Sequence, residues 1–339
     1  MFPASIHAYC RPACGLALLT ALCALFALSI TASASAAERA LVTTDYPNRP
    51  IRFVVPFTPG ALNDLLARLI GEQLGNQLGQ RVIVDNRPGA GTMIGSELVA
   101  KSSPDGHTLL LASAPLAINP GLYPNLPFDA TRDLAGVTQI GALPFVIVCK
   151  PQFAATSIKE LVALAKTKPG QFSYGATISG QLMVEMFKSA AKIDIVHIPY
   201  KGLAPAMTDV IGGQIHLTLG TYSSLGPHVK AGRLRALAVT SKTRTRTAPE
   251  IPTIAEAGYR DFDATTWYGV SVAGGTPKNI VALLHSKIAG ILRQPAMDSR
   301  LVAEGVDVVA GRPEEFDRLL RSETTKWARV IRQAGIKGE

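Results

Sequence analysis

IRFVVPFTPGALND, residues 51–64, reads as a buried strand, then a Thr/Pro/Gly loop, then the first turn of a helix. Apolar residues continue beyond it at helical spacing, at Leu65, Leu66, Leu69, Ile70, Leu74 and Leu78. This spacing predicts an amphipathic helix that packs one face on a sheet, with Asn63 as its N-cap and Asp64 in its first turn. Free backbone N–H groups at such a helix start suit a small anion, although an ordinary strand–helix connection explains the stretch equally well.

The composition is that of a globular protein with ample material for a core. The 339 residues are 47% hydrophobic and 17% charged, and this length suggests two domains. The formal charge of +9 is spread along the chain, and its one basic cluster, residues 242–246, is explained by a solvated turn. We therefore predict attraction to anionic solutes and no nucleic-acid partner.

Residues 1–36 have the pattern of a signal peptide. Arg11 precedes an apolar run over residues 16–30, and Ala34-Ser35-Ala36 has the form of a cleavage site. An uncleaved anchor is the alternative, and a lipoprotein site at Cys23 fits less well because cleavage there would fall inside the apolar run. Cleavage near Ala36 predicts a protein exported to the periplasm.

Strands and helices alternate along the rest of the chain. Residues 82–85 and 108–113 are predicted as the second and third strands of a β-α-β-α-β unit, which favours a parallel sheet covered by helices. Residues 114–133 are rich in Pro, Asn and Asp and are predicted to wrap the surface. Residues 151–263 repeat the same α/β pattern, and residues 313–334 are predicted as a final amphipathic helix.

Catalytic motifs are scarce. No two histidines after the leader stand three or four residues apart, and the chain has no G-x-S-x-G, G-x-G-x-x-G or Walker A motif. Cys149 is the only cysteine outside the leader, and it lies in an apolar strand where burial raises the thiol pKa. We expect no internal disulfide, no catalytic residue, no metal and no cofactor.

Loops rich in glycine and hydroxyl residues follow most of the predicted strands. Ligands of parallel sheets lie outside the carboxyl ends of the strands, so two such sheets facing each other form a cleft with donors on both walls. Hydroxyls and backbone N–H groups bind a carboxylate without a cation. Turn geometry explains each glycine alone, but their repeated position at strand ends favours a binding cleft. The candidate ligand-binding residues are Phe57, Thr58, Gly60, Asn63, Asp64, Ser113, Ala114, Thr177, Ser179, Gly180, Gln181, Tyr200 and Thr221.

Several motifs, in order from residue 46 to the C-terminus, resemble the Bug-type periplasmic receptors of tripartite tricarboxylate transporters. They are residues 46–57, 85–91, 104–106, 117–123, 196–202, 227–240 and 252–258. The resemblance implies an α/β, two-domain fold of the type II periplasmic-binding-protein (Venus flytrap) class. It also implies that a small organic anion, commonly a carboxylate, is held between the domains. In this family the loop after the first strand and a glycine/serine loop of the second domain bind the carboxylate oxygens, assisted by ordered waters.

The same resemblance implies the domain layout and the partners. Domain one comprises residues 46–144 and 270–339, and domain two comprises residues 145–269 with the hinge strands. Residues 145–149 and 266–273 are expected to cross the hinge. The expected partners are the ligand and the membrane permease subunits of a tripartite transporter, with the receptor itself a monomer. A sensory protein that signals to a kinase is the alternative, and an enzyme on the same fold is the less favoured one.

The chain departs from the family pattern at three places. The first loop has Pro59, Ala61 and Leu62 where a Gly-Gly pair is usual. The second-domain loop is shorter, with Gln181 where His is common, and residues 219–222 lack an Asp-Asn pair. We therefore predict that Thr58 and Asn63 take more of the polar contacts than usual, and that the ligand is less polar than a tricarboxylate.

Overall fold

The structure, a computed structural model, describes residues 46–338, so the predicted signal peptide lies outside the described residues. Residues 49–338 belong to one compact unit. Its helices and strands, in chain order, are β1 (Ile51–Val55), α1 (Leu62–Leu78), β2 (Val82–Asn86), α2 (Met93–Ala100), β3 (Thr108–Ser113), α3 (Pro115–Leu122), α4 (Ala130–Asp133), β4 (Leu134–Cys149), α5 (Ile158–Thr167), β5 (Ser173–Ala176), α6 (Ile178–Ala191), β6 (Val196–Pro199), α7 (Leu203–Gly212), β7 (Leu217–Thr221), α8 (Tyr222–Lys230), β8 (Arg235–Val239), β9 (Thr265–Ala273), α9 (Lys278–Leu292), α10 (Pro295–Ala303), β10 (Asp307–Val308) and α11 (Pro313–Ala334).

The strands form one mixed sheet in the order β2-β1-β3-β9-β4-β7-β5-β6, with β8 and β10 also paired to β4. β1 runs parallel to β2 and β3, and β9 then pairs antiparallel with β3 and β4. Phe53, Val54 and Val55 of β1 are fully buried, as expected for a strand covered by helices on both faces. The predicted α/β class is confirmed.

β4 joins the two halves of this sheet. Residues 134–144 of β4 pair with β9, whereas residues 145–149 pair with β7 and β8. We call β1, β2, β3, β9, β10 and residues 134–144 the first half, and β5 to β8 with residues 145–149 the second half. Among the described strands, β9 pairs only with strands of the first half. Just before β9, the Ala264 N–H donates to the carbonyl of Thr240, the residue after β8, at 2.9 Å.

Helix α11 covers one face of the sheet. It buries Phe316, Trp327 and Ile331, and the Phe316 ring packs edge-to-face on Trp267 of β9 with centroids 5.4 Å apart. Gly269, two residues further along β9, leaves the space that the Phe316 ring occupies. The apolar face of this 22-residue amphipathic helix thus packs on the central strands of the sheet.

The expectation that residues 114–133 wrap the surface is wrong for residues 114–119, whereas residues 120–127 are exposed or half-buried. Pro115 stands at the first position of α3, where the missing N–H costs nothing, and Leu116, Ala117 and Ile118 are buried. Asn119 and Pro120 lie inside this helix, whereas Pro124, Asn125 and Pro127 lie in the irregular connection that follows it. Among the described residues, no helix has both the length and the apolar character needed to cross a membrane.

Candidate ligand-binding site

The register of the sheet brings two sets of strand ends face to face. Ser113, the last residue of β3, pairs with Tyr268, which pairs in turn with Gly141 of β4. Thr221, the last residue of β7, pairs with Phe145, which also belongs to β4. Because β3 runs in the direction of β4 and β7 runs against it, their carboxyl ends point towards each other. The four-residue step from Gly141 to Phe145 separates the two edges by about 13 Å along the strand.

The first loop offers backbone donors to this gap. Helix α1 begins at Leu62 with Ala61 as its N-cap, so the predicted N-cap role of Asn63 is wrong: Asn63 already lies inside the first turn. In the described chain, the N–H groups of Ala61, Leu62 and Asn63 donate to no acceptor. Asn63 is 7% exposed, and its side-chain Nδ2 has no hydrogen-bond partner there. Buried donors of this kind require an acceptor, so this helix start is suited to a ligand oxygen.

Asp64 braces the loop. Its carboxylate accepts the Gly60 N–H at 3.1 Å and two guanidinium N–H groups of Arg68 at 2.9 and 3.0 Å. Asn86, at the end of β2, donates both to Asp64 at 3.0 Å and to the Phe57 carbonyl at 3.1 Å. The hydrogen bond from Arg68 lowers the pKa of Asp64 to about 2, against the opposing effect of burial. The Gly60 N–H and the Arg68 charge are thus already engaged within the loop.

Sequence reasoning missed Arg68 and Asn86 as supports of the site. The signal for Asn86 was its position at the end of a strand, in one of the glycine-rich loops. The position of Arg68, four residues after Asp64 on a helix, is the spacing at which such pairs form. Of the predicted residues at the end of β3, Ser113 and Ala114 are both buried. No hydrogen bond from the Ser113 hydroxyl occurs within residues 46–338.

The second half presents the start of α6. This helix begins at Ile178 with Thr177 as its N-cap, so Ser179 and Gly180 lie in a first helical turn where a glycine/serine loop was expected. The Gln181 N–H donates to the Thr177 carbonyl, whereas the N–H groups of Ile178, Ser179 and Gly180 have no acceptor in the described part of the chain. A helix start of this kind attracts anions through its free N–H groups and its dipole.

Gly180 is required by packing. A Cβ at this position would lie 3.0 Å from the Ala176 Cβ and 3.1 Å from Leu219 Cδ2. The glycine therefore lets the first turn of α6 approach β5 and β7 closely, which holds the free N–H groups against the ends of those strands.

Two predicted residues of the second half are already hydrogen-bonded within it. The Tyr200 hydroxyl donates to the Asp209 carboxylate, and this bond raises the pKa of Tyr200. Thr221 is the N-cap of α8 and its hydroxyl lies 3.1 Å from the hydroxyls of both Ser223 and Ser224. Thr221 thus belongs to a small hydroxyl cluster at the edge facing Ser113.

A cavity of about 970 Å³ lies elsewhere, between α6, residues 258–263 and α11. None of the predicted site residues lines it. Cavity volume therefore does not point to the predicted residues, whereas the opposed strand ends bring several of them together. Cys149 is fully buried, and burial raises its pKa to about 11, which confirms the prediction of an unreactive thiol.

Comparison with known proteins identifies the family. Residues 66–336 match the family model described as the tripartite tricarboxylate transporter family receptor. Protein BugT of Bordetella pertussis is 37% identical over 310 residues, which cover 90% of this chain and 95% of BugT. The chain belongs to the tripartite tricarboxylate transporter receptor family.

Solved structures of similar sequence share the fold of this receptor. An R. palustris protein solved with adipate is 33% identical and superposes with a TM-score of 0.71, covering 86% of this chain and 99% of its own. MatC of Rhodopseudomonas palustris, solved with bound malate, is 26% identical with a TM-score of 0.66, covering 84% of this chain and 100% of its own. The resemblance and the fold class inferred from the sequence are confirmed, and the receptor is a solute-binding protein rather than an enzyme.

Proposed function

We propose that this receptor captures a short dicarboxylate in the gap between the two sets of strand ends and delivers it to a membrane permease of the tripartite type. The observation that carries the proposal is the opposition of two helix starts, those of α1 and α6, at edges that face each other across Gly141–Phe145. Each helix start has three backbone N–H groups with no acceptor in the described chain. One carboxylate at each edge would satisfy them.

The charge of the site supports a modestly charged ligand. None of the predicted ligand-binding residues is Lys or Arg, and the guanidinium of Arg68 is held by Asp64. Hydroxyl and N–H donors bind a carboxylate without neutralising its charge fully. The site therefore favours a ligand with one carboxylate at each end over a ligand that carries three carboxylates close together. The adipate and malate held by the two R. palustris proteins are both dicarboxylates.

Closure of the two halves around the ligand provides the mechanism. We propose that residues 46–144 and 270–339 form one domain, that residues 145–269 form the other, and that β4 bends between them. A ligand that contacts both domains favours the closed state by its extra affinity for it.

Calorimetric titration of the mature protein tests this proposal. We expect adipate or malate to bind with a Kd in the micromolar range or below, and citrate, hexanoate and a neutral sugar to bind more weakly. Small-angle scattering with and without the bound acid should show a smaller radius of gyration in the complex. Failure of every dicarboxylate to bind, or binding without compaction, would contradict the proposal.

Delivery to a permease needs a cellular test. We propose that the protein is exported to the periplasm, acts as a monomer there and meets the permease in its closed, ligand-bound form. Deleting its gene should abolish uptake of the labelled dicarboxylate while leaving uptake of an unrelated sugar unchanged. If instead uptake is normal and a transcriptional response to the acid is lost, the protein is a sensory receptor.

A further inference from the structure

Tyr268 lies at the edge of the gap that the end of β3 forms. It is the β9 residue that pairs with Ser113 on one side and with Gly141 on the other. The residue is 8% exposed, and its hydroxyl forms no hydrogen bond within the described part of the chain. The hydroxyl is not among the fully enclosed polar atoms that lack a partner, so it stays accessible to a hydrogen-bonding group from outside the described chain.

The side chain of Tyr268 faces away from α11. Its neighbours Trp267 and Gly269 pack against Phe316 of that helix. Because side chains alternate along a strand, Tyr268 lies on the opposite face, together with its cross-strand partner Ser113. The side chains of Ser113 and Tyr268 therefore start side by side at the carboxyl edge of β3.

The same face continues across the junction between the halves. Thr266, two residues before Tyr268, pairs with Leu143, and two residues further along β4 Phe145 pairs with Thr221. Strand alternation places these residues on the face of Tyr268. Hydroxyl groups thus extend from Ser113 to Thr221 along the strands that form the floor of the gap.

Three other tyrosines of this protein show which kind of acceptor their hydroxyls bind. Tyr174 donates to Glu185 at 2.8 Å, Tyr222 donates to Glu250 at 3.3 Å, and Tyr200 donates to an aspartate. Each of these partners is a carboxylate. Burial raises the pKa of Tyr268 to about 12, so its hydroxyl keeps its proton at neutral pH and acts as a donor.

We propose that the Tyr268 hydroxyl, beside that of Ser113, donates a hydrogen bond to a carboxylate of the bound dicarboxylate, and that Tyr268 helps to determine ligand specificity. This inference rests on the proposed function and adds to it a contact from the floor of the gap. A ligand whose acid group reaches the floor gains this bond, whereas a ligand of the same charge held only at the loops does not.

Titration of adipate and malate into Tyr268→Phe tests the inference. We expect a Kd about tenfold to a hundredfold higher than that of the wild type, the usual effect of losing one hydrogen bond to a charged group. The melting temperature without ligand should not fall, because the hydroxyl has no partner in the described chain. The matched control is Tyr259→Phe: Tyr259 also lacks a hydroxyl partner among the described residues, but it lines the cavity beside α11.

Two further measurements keep the inference falsifiable if Tyr268→Phe folds poorly. Ser113→Ala should also raise the Kd for the dicarboxylate. In wild-type protein with ¹³Cζ-labelled tyrosine, adipate should shift one tyrosine signal that is missing from the Tyr268→Phe spectrum.

The outcomes separate this inference from the proposed function. Unchanged affinity in Tyr268→Phe, with tight binding by the wild type, overturns the role of Tyr268 and leaves the receptor function standing. Wild-type protein that binds no dicarboxylate overturns both.

Discussion

Asp64 shows how a single buried carboxylate can hold a loop in place through its hydrogen bonds. The sequence suggested a ligand contact, and that role stays a prediction. In the structure, its oxygens already accept hydrogen bonds from Gly60, Arg68 and Asn86. A carboxylate placed at the mouth of the loop would repel an anion, and pairing with Arg68 reduces that repulsion. We infer that Asp64 shapes the loop whose N–H groups we propose as ligand donors.

Asp64→Asn should therefore lower the stability of the protein. At pH 7 we expect a loss of about 1–2 kcal/mol, as for a partly exposed charge-assisted network. The pKa of Asp64 is lowered from 3.8 to about 2, so its contribution is present above the higher value and is lost as the pH falls through the lower one. The difference between wild type and variant should accordingly shrink as the pH falls from about 4 to below 2.

Urea denaturation at several pH values measures this difference. Glu97→Gln is the control because Glu97 pairs with Lys101 at the same helical spacing on an exposed surface. Its loss should be about 0.5 kcal/mol or less. Equal losses in the two variants would show that Asp64 is an ordinary surface partner.

At the scale of elements, the contact between β9 and α11 holds the centre of the sheet to its longest helix. Gly269 and Phe316 form its tightest point: a Cβ at residue 269 would lie 2.1 Å from Phe316 Cζ. Tyr268 adjoins this glycine, so the packing of α11 also sets the strand position from which Tyr268 faces the gap.

Gly269→Ala should therefore destabilise the protein by about 1–3 kcal/mol, because the added methyl displaces the Phe316 ring. The matched control is Gly290→Ala in α9, where a Cβ meets nothing within 4 Å. There, alanine should stabilise the helix by about 0.5–1 kcal/mol. Midpoints of urea denaturation compare the two, and a neutral Gly269→Ala would mean that α11 moves freely relative to the sheet.

At the scale of the whole molecule, a ligand held between two halves must depend on residues of both. Thr58 lies in the loop before α1, and Thr177 is the N-cap of α6 with no side-chain cap bond. Both hydroxyls are free to donate to a ligand, and neither alanine variant removes a hydrogen bond of the described fold.

Thr58→Ala and Thr177→Ala should each raise the Kd for the bound dicarboxylate about tenfold, because each removes a donor to a charged group. Thr208→Ala, which alters an exposed hydroxyl bonded within α7, should leave the Kd unchanged. Calorimetry gives all three values. A response to only one of the two site variants would mean that the ligand is held by one half alone.

The basic run at residues 242–246 shows the limit of reading charge from sequence. A solvated turn was the expected form, but Arg244 pairs with Glu256 and Arg246 pairs with Asp298, each at 2.7 Å. The partner of Arg246 is 52 residues away in the chain. The sequence does not show these ion-pair partners, because they lie far away in the chain.

Local sequence patterns were sufficient to predict most helices and strands and to recognise the family. The final helix was predicted over the same residues, 313–334, that α11 occupies. Residues 157–160, Ser-Ile-Lys-Glu, have the pattern of a helix N-terminus, and α5 begins there with the Ser157 hydroxyl accepting the Glu160 N–H. These features depend on residues a few positions apart, so periodicity and capping patterns reveal them. The ordered motifs between residue 46 and the C-terminus were sufficient for the family.

The construction of the site, in contrast, depends on tertiary structure. The pairing of Asn86 with Asp64, the opposition of Ser113 and Thr221 across β4, and the place of Tyr268 beside Ser113 all depend on strand register. Register joins residues that are far apart in the chain, and it leaves no periodic trace in any one segment. The helix start within IRFVVPFTPGALND could therefore be recognised from its own residues. The hydrogen bonds that hold its loop, and the sheet edge that the loop faces, could not.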